Sequence, residues 1–386
     1  MASKRVIYFS RDYTPHDHRF LSVLAHSPYD VAYLRLEDAG RNYEMRPLPT
    51  GIQAIPWRGG CSTVGWRDGL CLLPELKHVI RDFQPHLIHA GPLQRSAFMT
   101  TLAGFHPLIS MSWGYDLFVE AHQNTLWAFA TRFTLRRSDW LIADCNTIRQ
   151  CAIQYGMPAE QIVTFPWGVD IDVFSPLPAG KTKAEHPLRK ALGWGEDTFV
   201  LLSTRSWAPL YGIEELAQAF VYAYRRNPSL RLFMLGSGPQ TQRIQAIFQN
   251  GLGKCMNEVV VFPGQLIEGK LCDYYRAADL YVSASHSDGS SISLLEALAC
   301  ACPVLVSDLH GNQEWVQQNL HGWCFRMGDV DALQAAILHA LESRESLPEM
   351  ARAARLLAEQ RANWKHHAAQ LLKLYEITLK ETTYIK

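Results

Sequence analysis

Residues 281–306, YVSASHSDGSSISLLEALACACPVLV, constrain the chain most: a buried apolar run passes through a Gly/Ser loop into a helix-compatible segment and then into a second apolar run. A strand, a crossover helix and a strand in that order belong in a parallel sheet. Asp288 and Glu296 lie eight positions apart, so one carboxylate sits in the loop before the helix and the other inside it. Helix N-terminal amides and the positive end of the helix dipole attract anions such as phosphate. Carboxylates beside them accept hydrogen bonds from ribose or hexose hydroxyls. The two capacities together suit a nucleotide sugar, although an acidic or serine cap before an amphipathic helix is the plainer use of the same residues.

A chain of 386 residues with 48% hydrophobic content exceeds one ordinary core and predicts two domains of about 150–200 residues each. Lys plus Arg and Asp plus Glu both total 37, which leaves no basic excess for nucleic acid and no acidic tail. Nine scattered cysteines without C-x-x-C spacing point to a reducing, cytoplasmic setting rather than a disulfide framework, with Cys300 and Cys302 as core fillers. The apolar run 6–9 is too short for a signal-peptide core, and no stretch of about 20 apolar residues spans a membrane.

Between residues 200 and 315 four more segments accompany the Asp-x7-Glu stretch: VLLSTRSWAPLYG with Arg205, LFMLGSGP with Gly236 and Gly238, VVVFPGQ running to Gln265 and Leu266 and followed by YYRAADLYVS, and HGNQEW with Asn312. In this order they resemble the C-terminal half of the retaining GT-B glycosyltransferases of family 4 (glycosyl transferases group 1). That resemblance implies an α/β chain with two Rossmann-like, doubly wound parallel-sheet domains facing a cleft and a C-terminal helix crossing back to the first domain. It implies an acceptor-side domain over 1–175, a linker over 176–197, a nucleotide-sugar domain over 198–360 and the returning helix over 361–386. In the last segment Trp364, Ala368, Leu371, Leu372 and Tyr375 recur at helical spacing.

In the first half, residues 5–10, 31–35, 86–90, 108–112 and 141–143 are strand candidates whose separations suit helical crossovers. Ligands of such sheets sit beyond the carboxyl ends of strands, which singles out the loops 11–19, 89–92 and 113–116. The first loop, RDYTPHDHR, lacks the glycines usual in the family and offers Arg11, Asp12, His16, Asp17, His18 and Arg19 to a phosphate or an acceptor. His89 resembles the family's strand-end histidine, and SWGYD resembles its His-Gly-Tyr-Asp loop with Trp113 in place of histidine. Trp113 can stack on a ring but transfers no proton. FPWGVDIDVFSP, residues 165–176, resembles the segment before the linker; its Asp170 and Asp172 are read as part of that segment and not as a metal pair.

The resemblance assigns catalytic roles to Arg205, Asp288, His89 and Trp113. It places Glu296 on the ribose hydroxyls and Gly236, Gly238, Gln265, Leu266, Gly289, Ser290, Ser291 and Asn312 around the donor. Arg11, His16 and Asp17 form the acceptor or phosphate loop. The function implied is retaining, hexosyltransferase-type transfer (EC 2.4) from a UDP- or GDP-type sugar to a hydroxyl acceptor, with no cofactor and no metal. The partners implied are that donor and a carbohydrate, lipid-linked or small-molecule acceptor. A nucleotide-sugar 2-epimerase and a catalytically silent binding subunit are the alternatives. The silent reading draws on Tyr211, which stands where the family carries the lysine of Arg-x5-Lys-Gly. Losing that charge weakens leaving-group stabilisation by about 2 to 4 kcal/mol unless Lys270, helix amides after Gly289 or an arginine of the first loop replaces it. Residues 125–137, TLWAFATRFTLRR, read as an amphipathic surface helix, with a peripheral contact on the inner face of a membrane as the second use.

Overall fold

Short runs rich in Val, Ile, Leu and aromatic residues form the strands, and their burial is continuous rather than alternating because helices cover both faces of each sheet. The computed structural model describes residues 3–38, 40, 44–266 and 268–384. The chain divides into two units, Met1–Pro166 with Lys365–Lys386, and Trp167–Trp364.

The first unit holds β1 (Arg5–Ser10), β2 (Asp30–Arg35), β3 (Gln53–Ala54), β4 (Leu87–Gly91), β5 (Leu108–Met111), β6 (Trp140–Ala143) and β7 (Ile162–Thr164) in the order β3-β2-β1-β4-β5-β6-β7. All pairings are parallel. The five strands expected from the sequence are present within a residue or two. The edge strands β3 and β7, two and three residues long, fall below what periodicity can signal. The loop after β1 is shorter than expected, because Pro15 at the first turn and Thr14 as its cap start a helix, Pro15–Ala25. The terminal helix Trp364–Tyr384 buries His367, Leu371, Leu374, Tyr375, Thr378 and Leu379.

The second unit holds β8 (Phe199–Ser203), β9 (Leu230–Leu235), β10 (Val260–Gly264), β11 (Leu280–Ser283), β12 (Val304–Ser307) and β13 (Gly322–Phe325), again all parallel, in the order β10-β9-β8-β11-β12-β13. Strand alternation feeds two cores: Phe199 and Leu201 enter one with the helix Ile213–Arg226, while Val200 and Leu202 enter the other with the helix Ile292–Ala299. In both sheets the order reverses beside the first strand, between β1 and β4 and between β8 and β11. That reversal opens a crevice beyond the carboxyl ends.

Segment 176–197 contains a helix, Pro187–Leu192, pinned to the second unit by a buried arginine. Arg189 Nε donates to the Ala277 carbonyl (2.6 Å) and Nη2 to Asp279 Oδ2 (2.5 Å), and the same carboxylate oxygen accepts the Val200 amide (2.8 Å). All nine cysteines are free thiols, and Cys300 and Cys302 lie in the core. Among the described residues no helix is long and apolar enough to cross a membrane.

Candidate functional site

The crevice of the second unit is lined from both central strands. Arg205 follows β8 directly. Its Nη1 donates to Ser291 Oγ (2.7 Å) and Ser293 Oγ (3.0 Å), and its Nη2 to Asp288 Oδ2 (2.6 Å) in the loop after β11. The guanidinium carbon lies 4.3 Å from the centre of the Tyr211 ring, and Nε is buried with no hydrogen-bond partner. Burial alone would lower the pKa of Arg205, but Asp288, helped by Tyr211, Tyr281 and Tyr275, more than offsets it and holds the cation charged. The Asp288 carboxyl is pushed up by its burial and drawn back by Arg205. Arg205 and Asp288 are therefore an ion pair on which the Tyr211 ring is stacked.

Glu296 enters the same network through a neighbour that carries no motif. The Tyr275 hydroxyl, on the helix Glu268–Ala277, donates to Glu296 Oε2 (2.9 Å). It also lies 3.1 Å from both the Ser293 carbonyl and the Thr204 hydroxyl. Burial, reinforced by the charge of Glu296, keeps that phenol protonated. The Ser293 hydroxyl accepts from Arg205 and from the Tyr281 hydroxyl (2.7 Å). A continuous chain of polar contacts thus runs Glu296–Tyr275–Ser293–Arg205–Asp288. Sequence reading missed Thr204 just past β8, Tyr281 in β11, Ser293 in the Gly/Ser segment and Tyr275 on the helix Glu268–Ala277.

The other donor-side candidates differ in placement. Ser290 Oγ accepts from Trp315 Nε1 (3.0 Å), and Ser291 stands at the N-cap position of the helix Ile292–Ala299, its hydroxyl engaged by Arg205 and making no capping bond. Asn312 is buried and donates to the Ser307 carbonyl (2.8 Å). A side chain at Gly311 would meet the Gly289 carbonyl at 2.5 Å, so the segment His310–Gln313 braces the Asp288–Gly289 loop. Gly236 and Gly238 were expected to let backbone approach a ligand. Their close neighbour is instead protein: a Cβ would lie 2.7 Å from the Arg205 carbonyl at Gly236, and 2.4 Å from the Trp207 carbonyl at Gly238. Gly236 also has φ +88°. They hold the β9 loop against the Arg205 loop. Gln265 is exposed and Leu266 half-buried past β10, two strands from β8, and Lys270 is exposed.

In the first unit the structure brings together His16, in the first turn of the helix Pro15–Ala25, and Trp113, in the loop after β5, with ring centres 6.2 Å apart. Trp113 is held by its amide, which donates to Asp116 Oδ1 (3.1 Å), and buried Asp116 also accepts from Ser112 Oγ (2.6 Å) and the Leu93 amide (3.1 Å). Arg11 Nε is bonded to buried Glu37, leaving its side chain 40% exposed.

Two expectations need correction here. Asp17 turns inward, where its carboxylate accepts from the Thr14 amide (2.8 Å), the Thr14 hydroxyl (2.5 Å) and the Tyr8 hydroxyl (3.1 Å), closing a capping box instead of facing a ligand. His89 is fully buried, packed edge-on against Tyr8, Phe20 and Tyr375, with Nδ1 2.7 Å from the Tyr375 hydroxyl. Their polar side chains read as loop chemistry until the packing around them is known.

Burial shifts both groups, in opposite senses. Asp17 is raised from 3.8 to about 7 and His89 lowered from 6.5 to about 3, each chiefly by desolvation. The raised acid adds stability at low pH that is lost as the pH rises through 7. The lowered base adds stability above 6.5 that is lost as the pH falls toward 3. Between about pH 4 and pH 6.5 the folded unit keeps a proton on Asp17 while the unfolded chain keeps one on His89, so the two slopes cancel. Asp17→Asn should expose the histidine slope, a loss of about 1.4 kcal/mol for each pH unit of acidification below 6.5. His89→Gln should expose the opposite slope. Urea unfolding across this range measures both, and an Asp17→Asn profile parallel to wild type would overturn the assignment.

Residues 185–357 match the family model described as Glycosyl transferases group 1, and residues 17–173 match that described as Glycosyltransferase Family 4. The chain is 30% identical over 222 residues to a D-inositol 3-phosphate glycosyltransferase of Geodermatophilus obscurus, covering 56% of this chain and 48% of the relative. It is 28% identical over 226 residues to an alpha-monoglucosyldiacylglycerol synthase of Streptococcus pneumoniae, covering 57% and 48%. The match thus spans about half the length of these curated relatives. In fold it resembles Anabaena Alr3699/HepE in complex with UDP-glucose, with a TM-score of 0.76 at 18% identity over 96% of this chain and 99% of that one. With a parallel-sheet unit in each half of the sequence and the two matched segments joined in one chain, the protein belongs to the family 4 glycosyltransferases of GT-B fold.

Proposed function

We propose that the chain transfers a sugar from a nucleotide diphosphate sugar, of UDP or GDP type, to a hydroxyl acceptor with retention of configuration. The observation that carries this reading is the Arg205–Asp288 pair at the switch point of the second sheet, joined through Ser293 and Tyr275 to Glu296. Glu296 accepts the ribose hydroxyls, Arg205 and the amides at the start of the helix Ile292–Ala299 face the diphosphate, and Asp288 with Gly289 faces the sugar. UDP-glucose in a protein of the same fold supports the donor class.

In the step itself the bond from C1 of the sugar to the phosphate oxygen breaks, and charge accumulates on the leaving diphosphate beside Arg205. The acceptor hydroxyl attacks C1 from the face the diphosphate leaves, and its proton passes to a phosphate oxygen. The products are a glycoside and a nucleoside diphosphate. No protein nucleophile is required, unlike the two-carboxylate arrangement of most glycosidases, and in this reading no metal shares the charge with Arg205. Relatives named for inositol 3-phosphate and for a glucosyldiacylglycerol differ in acceptor, so the acceptor class stays at a hydroxyl. Free thiols throughout suit a cytoplasmic enzyme.

A thermal-shift screen over nucleotide diphosphates and their sugars identifies the donor, since a ligand at 100 times its dissociation constant stabilises by about 2.7 kcal/mol. With that donor, Glu296→Ala should fold and lose about 1.5 to 3 kcal/mol of affinity by calorimetry, because the ribose loses a charged acceptor. Unchanged affinity would remove Glu296 from the site. Conversion of the donor without any acceptor would replace transfer by epimerisation.

A further inference from the structure

The charge of Arg205 is already answered inside the protein. Its Nη1 donates to the hydroxyls of Ser291 (2.7 Å) and Ser293 (3.0 Å), and its Nη2 to Asp288 Oδ2 (2.6 Å). The arginine and aspartate side chains are 11% and 19% exposed, so water and salt screen the pair weakly. Tyr211 adds a ring to the guanidinium and no charge. His286, in the same loop as Asp288, has Nε2 3.0 Å from Glu215 Oε1, so the base of that loop is matched by an acid as well. A diphosphate that comes to Arg205 therefore competes with a carboxylate fixed in the chain, and the two anions repel at close range.

In the transfer reading, on which this inference rests, Arg205 faces the diphosphate and Glu296 the ribose. Both pieces are common to a nucleotide sugar and to the nucleoside diphosphate that transfer leaves behind, so neither residue tells substrate from product. We propose that Asp288 makes that distinction. With either ligand the diphosphate displaces the carboxylate from Arg205. A nucleotide sugar then offers it hydroxyls, whose hydrogen bonds to a carboxylate are charge-assisted. A bare nucleoside diphosphate offers none and leaves a largely dry carboxylate beside phosphate oxygens. When C1 passes to the acceptor, Asp288 loses those hydroxyls and returns to Arg205, which drives the diphosphate out.

Calorimetry on the full chain with UDP, UDP-glucose, UDP-N-acetylglucosamine, GDP and GDP-mannose tests it. Wild type should hold its best-bound sugar conjugate about tenfold or more tightly than the matching bare diphosphate. Asp288→Asn keeps the shape and removes the charge. It should bind the bare diphosphate about tenfold more tightly than wild type, and the conjugate within about threefold of wild type, so that the preference disappears. Circular dichroism and the unfolding midpoint check the fold; should Asp288→Asn fail to fold, Asp288→Ala and the wild-type ratio carry the test. A variant that binds the bare diphosphate no tighter than wild type, or a wild type that holds both ligands equally, would overturn the inference and leave the transfer reading intact. Binding of none of the five would overturn both.

Discussion

Arg205→Ala should slow transfer by about 10²- to 10³-fold, the scale for losing one preorganised donor to developing charge. The effect is expected to be large because the lysine usual in the family is absent and Tyr211 occupies its place, leaving Arg205 as the cation of the switch-point network. Tyr211→Phe should change the rate little, since the ring that stacks under the guanidinium is retained and only the phenol oxygen is lost. Single-turnover rates with the identified donor compare the two. An Arg205→Ala enzyme as fast as wild type would remove the leaving-group argument. A wild type that binds nucleotide but transfers to no acceptor over a broad panel would instead make this chain a silent binding protein, with Asp288 neutralising Arg205.

Asp279→Ala should destabilise the second unit by about 3 to 5 kcal/mol, because it strands a buried guanidinium. The Arg189 side chain is only 3% exposed, and Asp279 Oδ2 accepts from both its Nη2 and the Val200 amide. The loss is structural, so affinity for donor measured below the unfolding transition should remain near wild type while the urea midpoint falls. Replacing both Asp279 and Arg189 by apolar residues of similar size should recover much of the loss, since the charge left unpaired is what destabilises. A midpoint unchanged in Asp279→Ala would show that Arg189 reaches water or another acid.

Much of the candidate site was legible because its motifs are local. Asp288, Ser291 and Glu296 sit within one loop and helix, and Arg205 sits at the end of an unmistakable apolar strand, so placing them needed only strand-end logic. Tyr275 was not legible. It looks like any aromatic on an amphipathic helix, and its bond to Glu296 crosses 21 positions between different elements. Asp17 and His89 were misplaced for a related reason: polar residues near strand ends resemble site residues whether they face the crevice or the core, and one rotation of the side chain decides which.

By itself the sequence determined the five longer strands of the first unit, the parallel character of the sheets and the position of the Asp-x7-Glu helix, but not β3, β7 or β13, because hydrophobic periodicity, caps and turn residues act over a few neighbours and need a run long enough to show them. The tertiary structure alone decided which distant residues meet: Arg205 with Asp288 across 83 positions, Arg189 with Asp279 across 90, and His89 with Tyr375 across 286. It also decided which charges are dry. Strand order brings remote loops to one edge, and desolvation depends on everything packed around a group, so neither is encoded in any short stretch of the chain.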